Sequence, residues 1–311
     1  MNRIIGKYKG NLDGPLLVIT AGIHGNESAG VRALQLFFKD LNEKSNTNPD
    51  FVYKGEVIGL LGNVNAYSQS KRFIEKDMNR CWVPEHIGQI MNTDKLMLKN
   101  EDLEMRELLE MVHLEVNRLQ PSKLYLLDLH TTSSDGGIFS ITTAKKESIN
   151  TAYEMHAPVV LGLLKDISGT TLHYFTKENI GIPCISIGFE SGHHDDLQSI
   201  DRCVAAIINF IRAIGVIDPQ EVENHHDYIL KEYIKKLPEV VEVVYKFKIE
   251  DNKLWQMKPG YKNFQKVKRN ELLARYDGND VLCPMDGRIL MPLYQSQGEE
   301  GFFIVRDVVE W

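Results

Sequence analysis

The sequence predicts an α/β fold, a sheet flanked by helices, followed by a small all-β domain. In the first two thirds of the chain, continuous apolar segments alternate with segments of helical apolar spacing. After about residue 216 the pattern of apolar and polar residues changes to that of short alternating β-like segments separated by glycines. We therefore expect one domain over residues 1–216. Residues 217–311 are expected to form a linker helix and a small β-barrel or sandwich that covers the rim of the first domain.

Four continuous apolar segments predict strands that are buried on both faces, as parallel strands covered by helices are. These segments are residues 15–21 (PLLVITA), 56–61, 123–129 (KLYLLDL) and 182–189 (IPCISIGF). Residues 28–41, 101–119 and 197–214 have the apolar spacing of amphipathic helices. A further helix is predicted over residues 220–236, and the β-like segments begin after it.

Composition narrows the class of protein. The 311 residues are 43% hydrophobic and 25% charged, which is typical of a globular protein able to fold without disulfides. The four cysteines are scattered without a CxxC pair, which predicts a reducing compartment and argues against a cysteine-type zinc site. A formal charge of −7 without a Lys/Arg run argues against nucleic-acid binding. With no secretory signal or membrane span in the sequence, we expect a cytoplasmic protein with no membrane partner.

The segment AGIHGNESAG contains the first candidate metal ligands. His24 and Glu27 lie three residues apart, directly after a predicted buried strand and at the start of a predicted helix. Imidazole nitrogen and carboxylate oxygen both suit Zn²⁺, and this offset lets the two side chains converge. The motif alone is weak, because a surface histidine beside a helix-capping glutamate has the same pattern.

A second segment, DLHTTSSDGG, adds His130 as a third ligand. Asp128 and His130 lie at the end of a buried strand, and sites in open α/β sheets lie beyond the carboxyl ends of the strands. A metal-bound histidine usually donates its other ring N–H to a carboxylate, a role that Asp128 could fill. Alternatively, Asp128 caps the following loop and His130 is only partly buried. Two imidazoles and one carboxylate form the donor set of a catalytic zinc site, which leaves a position for a water of lowered pKa. Co²⁺ or Mn²⁺ would accept the same donors.

Glu190 is the candidate general base, since it follows another apolar strand and reaches the same rim. It could instead be a first-turn acid of the next helix. Residues 193–196 (HHDD) could form another site, but adjacent side chains point apart and are typical of a solvated loop.

The segment KRFIEKDMNRCW contains the candidate anion-binding residues. Arg72, Asn79 and Arg80 lie in a region with little strand or helix signal. Guanidinium groups bind carboxylates bidentately and stabilise a developing oxyanion. By composition alone they would be surface groups.

Together these motifs resemble the succinylglutamate desuccinylase/aspartoacylase family of the zinc carboxypeptidase superfamily. The resemblance covers residues 15 to about 215 and implies a carboxypeptidase-like mixed sheet flanked by helices. It implies one Zn²⁺ on His24, Glu27 and His130, and a carbonyl-polarising role for Arg72. Asn79 and Arg80 match the pair that binds the substrate carboxylate, and Glu190 matches the general base.

The expected function is zinc-dependent hydrolysis of an amide bond in a small N-acylated amino acid or a related substrate bearing a carboxylate. A metallocarboxypeptidase acting on short or modified peptides is the alternative, and a metal-binding homologue without activity is a third. Aspartoacylase-like members have an arginine shortly before the catalytic glutamate, whereas this chain has His173 and Lys177 there. That difference argues against N-acetylaspartate and succinylglutamate as substrates. The sequence leaves open whether the chain forms a homo-oligomer.

Overall fold

The computed structural model describes residues 2–221 and 225–309. Its strands are β1 (Ile4–Lys9), β2 (Leu12–Ala21), β3 (Lys54–Leu61), β4 (Leu124–Thr132), β5 (Phe139–Thr142), β6 (Val159–Leu161), β7 (Cys184–His193), β8 (Val240–Lys248), β9 (Trp255–Met257), β10 (Lys266–Val267), β11 (Leu272–Tyr276), β12 (Asn279–Leu282), β13 (Gly287–Leu290) and β14 (Glu300–Asp307). Its helices are α1 (Ala29–Thr47), α2 (Val64–Ser68), α3 (Pro84–Asn92), α4 (Asn100–Leu119), α5 (Lys146–Tyr153), α6 (Leu163–Asp166), α7 (Thr171–Tyr174), α8 (Lys177–Ile180), α9 (Gln198–Ala213) and α10 (His225–Ile234).

A mixed sheet of eleven strands organises the molecule, in the order β1-β3-β2-β4-β7-β5-β6-β8-β14-β13-β10. The four strands that the sequence predicts are β3, β2, β4 and β7, which are neighbours and run parallel. Antiparallel β1 and β5 join them at either side. The predicted fold class, a mixed α/β sheet flanked by helices with a β-rich C-terminal region, is confirmed.

The central strands are apolar without alternation because both of their faces are buried. In β2, Leu17 and Ile19 pack into one core with α1 and α9. Leu16 and Val18 point to the opposite face and pack into a second core with α4. A helical layer on each side of the sheet therefore explains the continuous apolar segments.

Helix α1 is longer than the sequence predicts, since it continues from the expected end at Leu41 to Thr47. The last turns are mostly exposed and polar, so apolar spacing could not reveal them. Asn48, which precedes a proline, is extended and ends the helix. Of the predicted helix over residues 220–236, residues 222–224 lie outside the described residues, and α10 covers the part that follows.

The C-terminal strands extend the large sheet, because β8 pairs in parallel with β6 and β14 pairs with β8. A second sheet, in the order β12-β11-β9, packs on them around a separate apolar core that includes Leu273, Ile289 and Phe302. The division into domains 1–216 and 217–311 stays a prediction. In the part of the chain that the structure describes, no helix combines the length and apolarity needed to cross a membrane. The cytoplasmic location also stays a prediction.

Candidate metal centre and active site

The three predicted metal ligands converge at the carboxyl ends of the parallel strands. His24 and Glu27 lie in the loop between β2 and α1, and His130 lies near the end of β4. One donor atom from each residue lies within 4.8 Å of the others, and all three side chains are buried. Glu27 is central, since its Oε1 lies 2.8 Å from His24 Nδ1 and its Oε2 lies 3.0 Å from His130 Nδ1.

Two glycines shape the loop that holds His24 and Glu27. Gly22 has a φ of +66°, a left-handed conformation that glycine adopts at low cost, and it turns the chain at the end of β2. At Gly25 a Cβ atom would lie 2.2 Å from the carbonyl carbon of Ala66, so only glycine fits against that backbone. The Gly25 N–H donates to the carbonyl of Arg72 at 3.1 Å, which connects the segment containing Arg72 to the loop of His24 and Glu27.

A carboxylate with little exposure to water lies behind each imidazole. The Nε2 of His130 lies 3.0 Å from Asp128 Oδ2, and the Nε2 of His24 lies 3.0 Å from Asp77 Oδ1. Each Nε2–H can therefore donate to a carboxylate, which leaves the Nδ1 lone pair directed toward Glu27. Asp128 was predicted for this role, whereas Asp77 was not predicted.

Hydrogen bonds fix Asp128 in its orientation. Its Oδ1 accepts from the Thr20 hydroxyl at 2.7 Å, and its Oδ2 accepts from the Thr171 hydroxyl at 2.5 Å. Burial alone would raise the pKa of Asp128, but the neighbouring His130 and these hydrogen bonds lower it. The carboxylate is thus kept ionised with only 1% of its surface exposed.

The charges in the cluster fit a divalent cation. Burial would raise the pKa of Glu27, but His24 and His130 lower it well below its usual range. Three carboxylates, those of Glu27, Asp77 and Asp128, thus lie close together with little exposure to water. Such a group of negative charges needs compensating positive charge nearby. Two Nδ1 atoms and one carboxylate directed at a common point form a donor set that suits Zn²⁺.

Glu190 lies on β7 directly beside His130 on β4, because the two residues are register partners across the parallel pair. The sequence predicted a position just past the strand, and the residue instead lies within it. Its Oε2 is buried without a hydrogen-bond partner among the described residues. Burial raises the pKa of Glu190 to about 7, although the nearby His130 opposes the rise. Such a carboxyl group can both accept and release a proton near neutral pH.

Arg72 borders the same cluster. Its Nη2 donates to Asp77 Oδ2 at 2.9 Å, and its Nη1 lies 3.7 Å from Glu27 Oε1. Because Asp77 also accepts from His24, one carboxylate positions both the imidazole and the guanidinium.

Asn79 and Arg80 lie in a short 3₁₀ turn, Met78–Arg80, whose first residues are capped by the Asp77 side chain. The Oδ1 of Asn79 accepts from the Thr171 N–H at 3.0 Å, and the residue lines the cavity. Arg80 lines the same cavity, but its Nη2 is already paired at 2.7 Å with Glu300 of β14.

One cavity joins the three predicted metal ligands with Glu190, Arg72, Asn79 and Arg80, which all line it. Much of its wall is apolar, including Ile141, Leu163, Ile167, Leu172, Leu293 and Phe303. Both parts of the chain contribute, because Leu293 and Phe303 come from the C-terminal strands and the loop between them.

His173 and Lys177, the basic residues that precede Glu190 in the sequence, lie away from the cavity lining. The Nε2–H of His173 donates to the Leu164 carbonyl at 2.9 Å, and its Nδ1 bonds with Thr170 at the start of α7. Lys177 is exposed at the start of α8. Neither residue is among the described residues that line the cavity.

The loop over residues 193–196 is only partly the solvated loop that the sequence predicts. Asp195 is exposed, but His194 Nδ1 lies 2.6 Å from the Thr131 hydroxyl, and the Thr131 N–H donates to Glu27 Oε2 at 3.0 Å. His194 therefore helps to position Glu27 indirectly, through Thr131. A sequence gives no signal for this contact, since Thr131 lies on β4 and His194 in the turn after β7.

The fold and the site together define an α/β protein with a His-Glu-His cluster that could hold a metal ion at the ends of its parallel strands. A sequence model described as the succinylglutamate desuccinylase/aspartoacylase catalytic domain matches residues 13–214. The chain belongs to this family, which confirms the resemblance noted in the sequence.

The curated relatives are similar to this chain over only part of their length. A probable aspartoacylase from Nostoc sp. is 31% identical over 124 residues, which is 39% of this chain and 37% of the relative. A succinylglutamate desuccinylase from Serratia proteamaculans is 28% identical over 209 residues, 62% of this chain and 58% of the relative. The chain thus spans less than two thirds of the length of these relatives. The crystal structure of a succinylglutamate desuccinylase/aspartoacylase from Rhodobacter sphaeroides has a similar fold, with a TM-score of 0.66 and 18% identity over 98% of this chain and 88% of that one.

Proposed function

We propose that the protein is a zinc-dependent deacylase that hydrolyses the amide bond of a small N-acylated amino acid. The observation that carries the proposal is the convergence of His24, Glu27 and His130 beside the unpartnered, buried carboxyl of Glu190. Metal donors and a group able to exchange protons thus share one cavity. That combination is what metal-assisted hydrolysis requires.

His24, Glu27 and His130 would hold the ion, with Asp77 and Asp128 keeping the two imidazoles in the orientation that presents Nδ1. A bound Zn²⁺ supplies Lewis acidity toward the substrate carbonyl and a water of lowered pKa. The alternative of a metal-binding protein without activity is disfavoured, because the groups needed for proton transfer and oxyanion stabilisation are present in the same cavity.

Glu190 would act as the general base and then as the general acid. Its carboxylate takes a proton from the attacking water, and the resulting carboxylic acid gives that proton to the leaving nitrogen. A pKa raised by burial to about 7 suits both steps near neutral pH. No other described lining carboxyl combines this raised pKa with an oxygen that has no hydrogen-bond partner.

Arg72 would stabilise the oxyanion that develops from the scissile carbonyl, since its guanidinium lies at the edge of the ligand cluster. The amide nitrogen of Asn79 and the guanidinium of Arg80 would bind the substrate carboxylate. Fixing the substrate at these two points would orient its amide bond against the base.

Two observations support an acylated amino acid over a peptide. The C-terminal residues Met291, Leu293 and Glu300 line the same cavity, so this part of the chain would take up space that an open cleft would leave to a polypeptide. The relatives named above are a probable aspartoacylase and a succinylglutamate desuccinylase, both named for the removal of an acyl group. A metallocarboxypeptidase remains the alternative outcome of the test.

The test compares Glu190→Gln with wild type on a panel of N-acylated amino acids and short peptides, each with zinc supplied. We expect wild type to hydrolyse the acylated amino acids, and Glu190→Gln to lower kcat by about 10²–10⁴-fold. Zinc content should stay unchanged. Glu178→Gln, the same substitution at an exposed residue of α8, is the matched control. Full activity of Glu190→Gln would contradict the mechanism, and faster cleavage of peptides would favour the carboxypeptidase.

A further inference from the structure

An ion pair within the cavity joins the N-terminal part of the chain to a C-terminal strand. Arg80 Nη2 lies 2.7 Å from Glu300 Oε2, and the side chains are only 18% and 13% exposed. Glu300 is the first residue of β14, and 220 residues separate it from Arg80. Burial would lower the pKa of Arg80, but the neighbouring Glu300 and Asp77 raise it, so the guanidinium stays charged.

Arg80 keeps an unused donor despite this pair. Its Nη1 donates to the carbonyl of Asn79 at 2.9 Å, and its Nη2 to Glu300. Its Nε is buried and has no hydrogen-bond partner in the part of the chain that the structure describes. This nitrogen is out of a substrate's reach, but the Arg80 side chain is 18% exposed and lines the cavity together with Glu300. A substrate carboxylate that binds the exposed part of the guanidinium would therefore lie beside a second carboxylate.

The rest of the cavity offers no spare cation for an additional anionic group. Arg72 and Arg80 are the only arginines among the described lining residues, which include no lysine. Arg72 is paired with Asp77 at 2.9 Å, just as Arg80 is paired with Glu300. A substrate with two carboxylates would thus find both guanidinium groups already paired and would bring its second carboxylate close to Glu300.

We propose that Glu300 is a specificity-determining residue that binds an ammonium group of the substrate next to the carboxylate held by Arg80. The favoured substrates are then N-acylated amino acids that have one carboxylate and one free ammonium. Derivatives with a single carboxylate and no ammonium, or with two carboxylates, are disfavoured by repulsion from Glu300. The proposal rests on the proposed function, in which Arg80 binds the carboxylate.

The hydrolysis test uses four compounds of similar length with zinc-loaded full-length protein. Nα-acetyl-L-ornithine and Nδ-acetyl-L-ornithine have an ammonium, Nα-acetyl-L-norvaline has none, and Nα-acetyl-L-glutamate has a second carboxylate. For wild type we expect kcat/KM for the better ornithine derivative to exceed that for the norvaline derivative by about tenfold or more. The glutamate derivative should be the poorest substrate.

Variants of Glu300 separate a charge effect from a structural one. Glu300→Gln keeps the size of the side chain and should reduce the preference for an ammonium to within about threefold. Glu300→Asp keeps the charge and should retain the direction of the preference. Glu299→Gln removes the adjacent exposed charge, which is outside the described cavity lining, and should leave the preference unchanged. An equal preference in wild type and Glu300→Gln overturns the proposal while leaving the deacylase function intact.

A binding measurement keeps the two proposals distinguishable. Calorimetry compares L-norvaline, which has an ammonium, with pentanoate, which has the same carbon chain and only the carboxylate. Wild type should bind L-norvaline about tenfold more tightly, and Glu300→Gln should bind the two within about threefold. Failure of wild type to hydrolyse any acetylated compound overturns the proposed function. Equal affinity of wild type for L-norvaline and pentanoate overturns the role of Glu300.

Discussion

Asp128→Asn tests whether the carboxylate behind His130 matters for metal binding. The substitution keeps the size of the side chain and the acceptor for the Thr20 hydroxyl. It replaces an oxygen that faces both the Thr171 hydroxyl at 2.5 Å and His130 Nε2 at 3.0 Å by an NH₂ donor. His130 can then no longer donate from Nε2 to a carboxylate, so the tautomer with a lone pair on Nδ1 loses its stabilisation.

The structure suggests the size of the effect. Asp128 is 1% exposed, so water cannot replace the lost contact with His130. Loss of such a partner typically lowers metal affinity by about 10–100-fold, which corresponds to about 1.4–2.8 kcal/mol. The fold should survive, because the substituted side chain stays polar and still accepts from Thr20.

The assay is a competition titration in which the protein and a chromogenic chelator of known affinity share zinc. Asp307→Asn is the matched control, since it makes the same substitution at a half-exposed residue of β14 that pairs with Arg288. We expect the control to bind zinc like wild type. An Asp128→Asn protein that is folded and binds zinc as tightly as wild type would refute the assigned role of Asp128.

Three further predictions follow from the site. Burial raises the pKa of Glu190 to about 7, and a bound cation lowers it again. We therefore expect kcat/KM to fall as the pH decreases through a value at or below about 7, where the Glu190 carboxylate becomes protonated. A flat profile between pH 5 and 8 would contradict this. Gly25→Ala should lower the free energy of unfolding by about 1–3 kcal/mol, because its Cβ would lie 2.2 Å from the Ala66 backbone. The control Gly88→Ala has open space around its Cβ and should not destabilise the protein. Equal Tm values for the two variants would argue against close packing of the loop that contains Gly25. Removing zinc with a chelator should lower the Tm of wild type but not that of His130→Ala, because only a protein that binds the ion gains stability from it. A similar decrease of Tm in both proteins would indicate another metal site.

The sequence predicts the central sheet well because its signals are local. Each buried parallel strand is a continuous apolar segment, and the polar residues that interrupt or follow β2, β4 and β7 are the site. His24, Glu27 and His130 could be singled out because strand ends in a parallel sheet meet at one edge. Strands of three or four residues, such as β5 and β6, were not predicted, since so few residues show no clear period.

Residues that act through other residues are harder to predict. Asp77 lies in an irregular segment, and its partner His24 is 53 residues away, so no spacing rule links them. The DMNR sequence around Asp77 gives the one available signal, an acid next to the Asn79–Arg80 pair. The contact of Glu300 with Arg80 is harder still to predict from the sequence, because it depends on how β14 joins the sheet.

The most direct test of the account is activity measured during a zinc titration of the metal-free protein, with an N-acylated amino acid as substrate. If His24, Glu27 and His130 form one catalytic site, activity should rise linearly and reach its plateau at one zinc ion per chain. The His24→Ala/His130→Ala double variant should stay inactive at every zinc concentration. Activity of the metal-free protein, or activity in the double variant equal to that of wild type, would contradict the account.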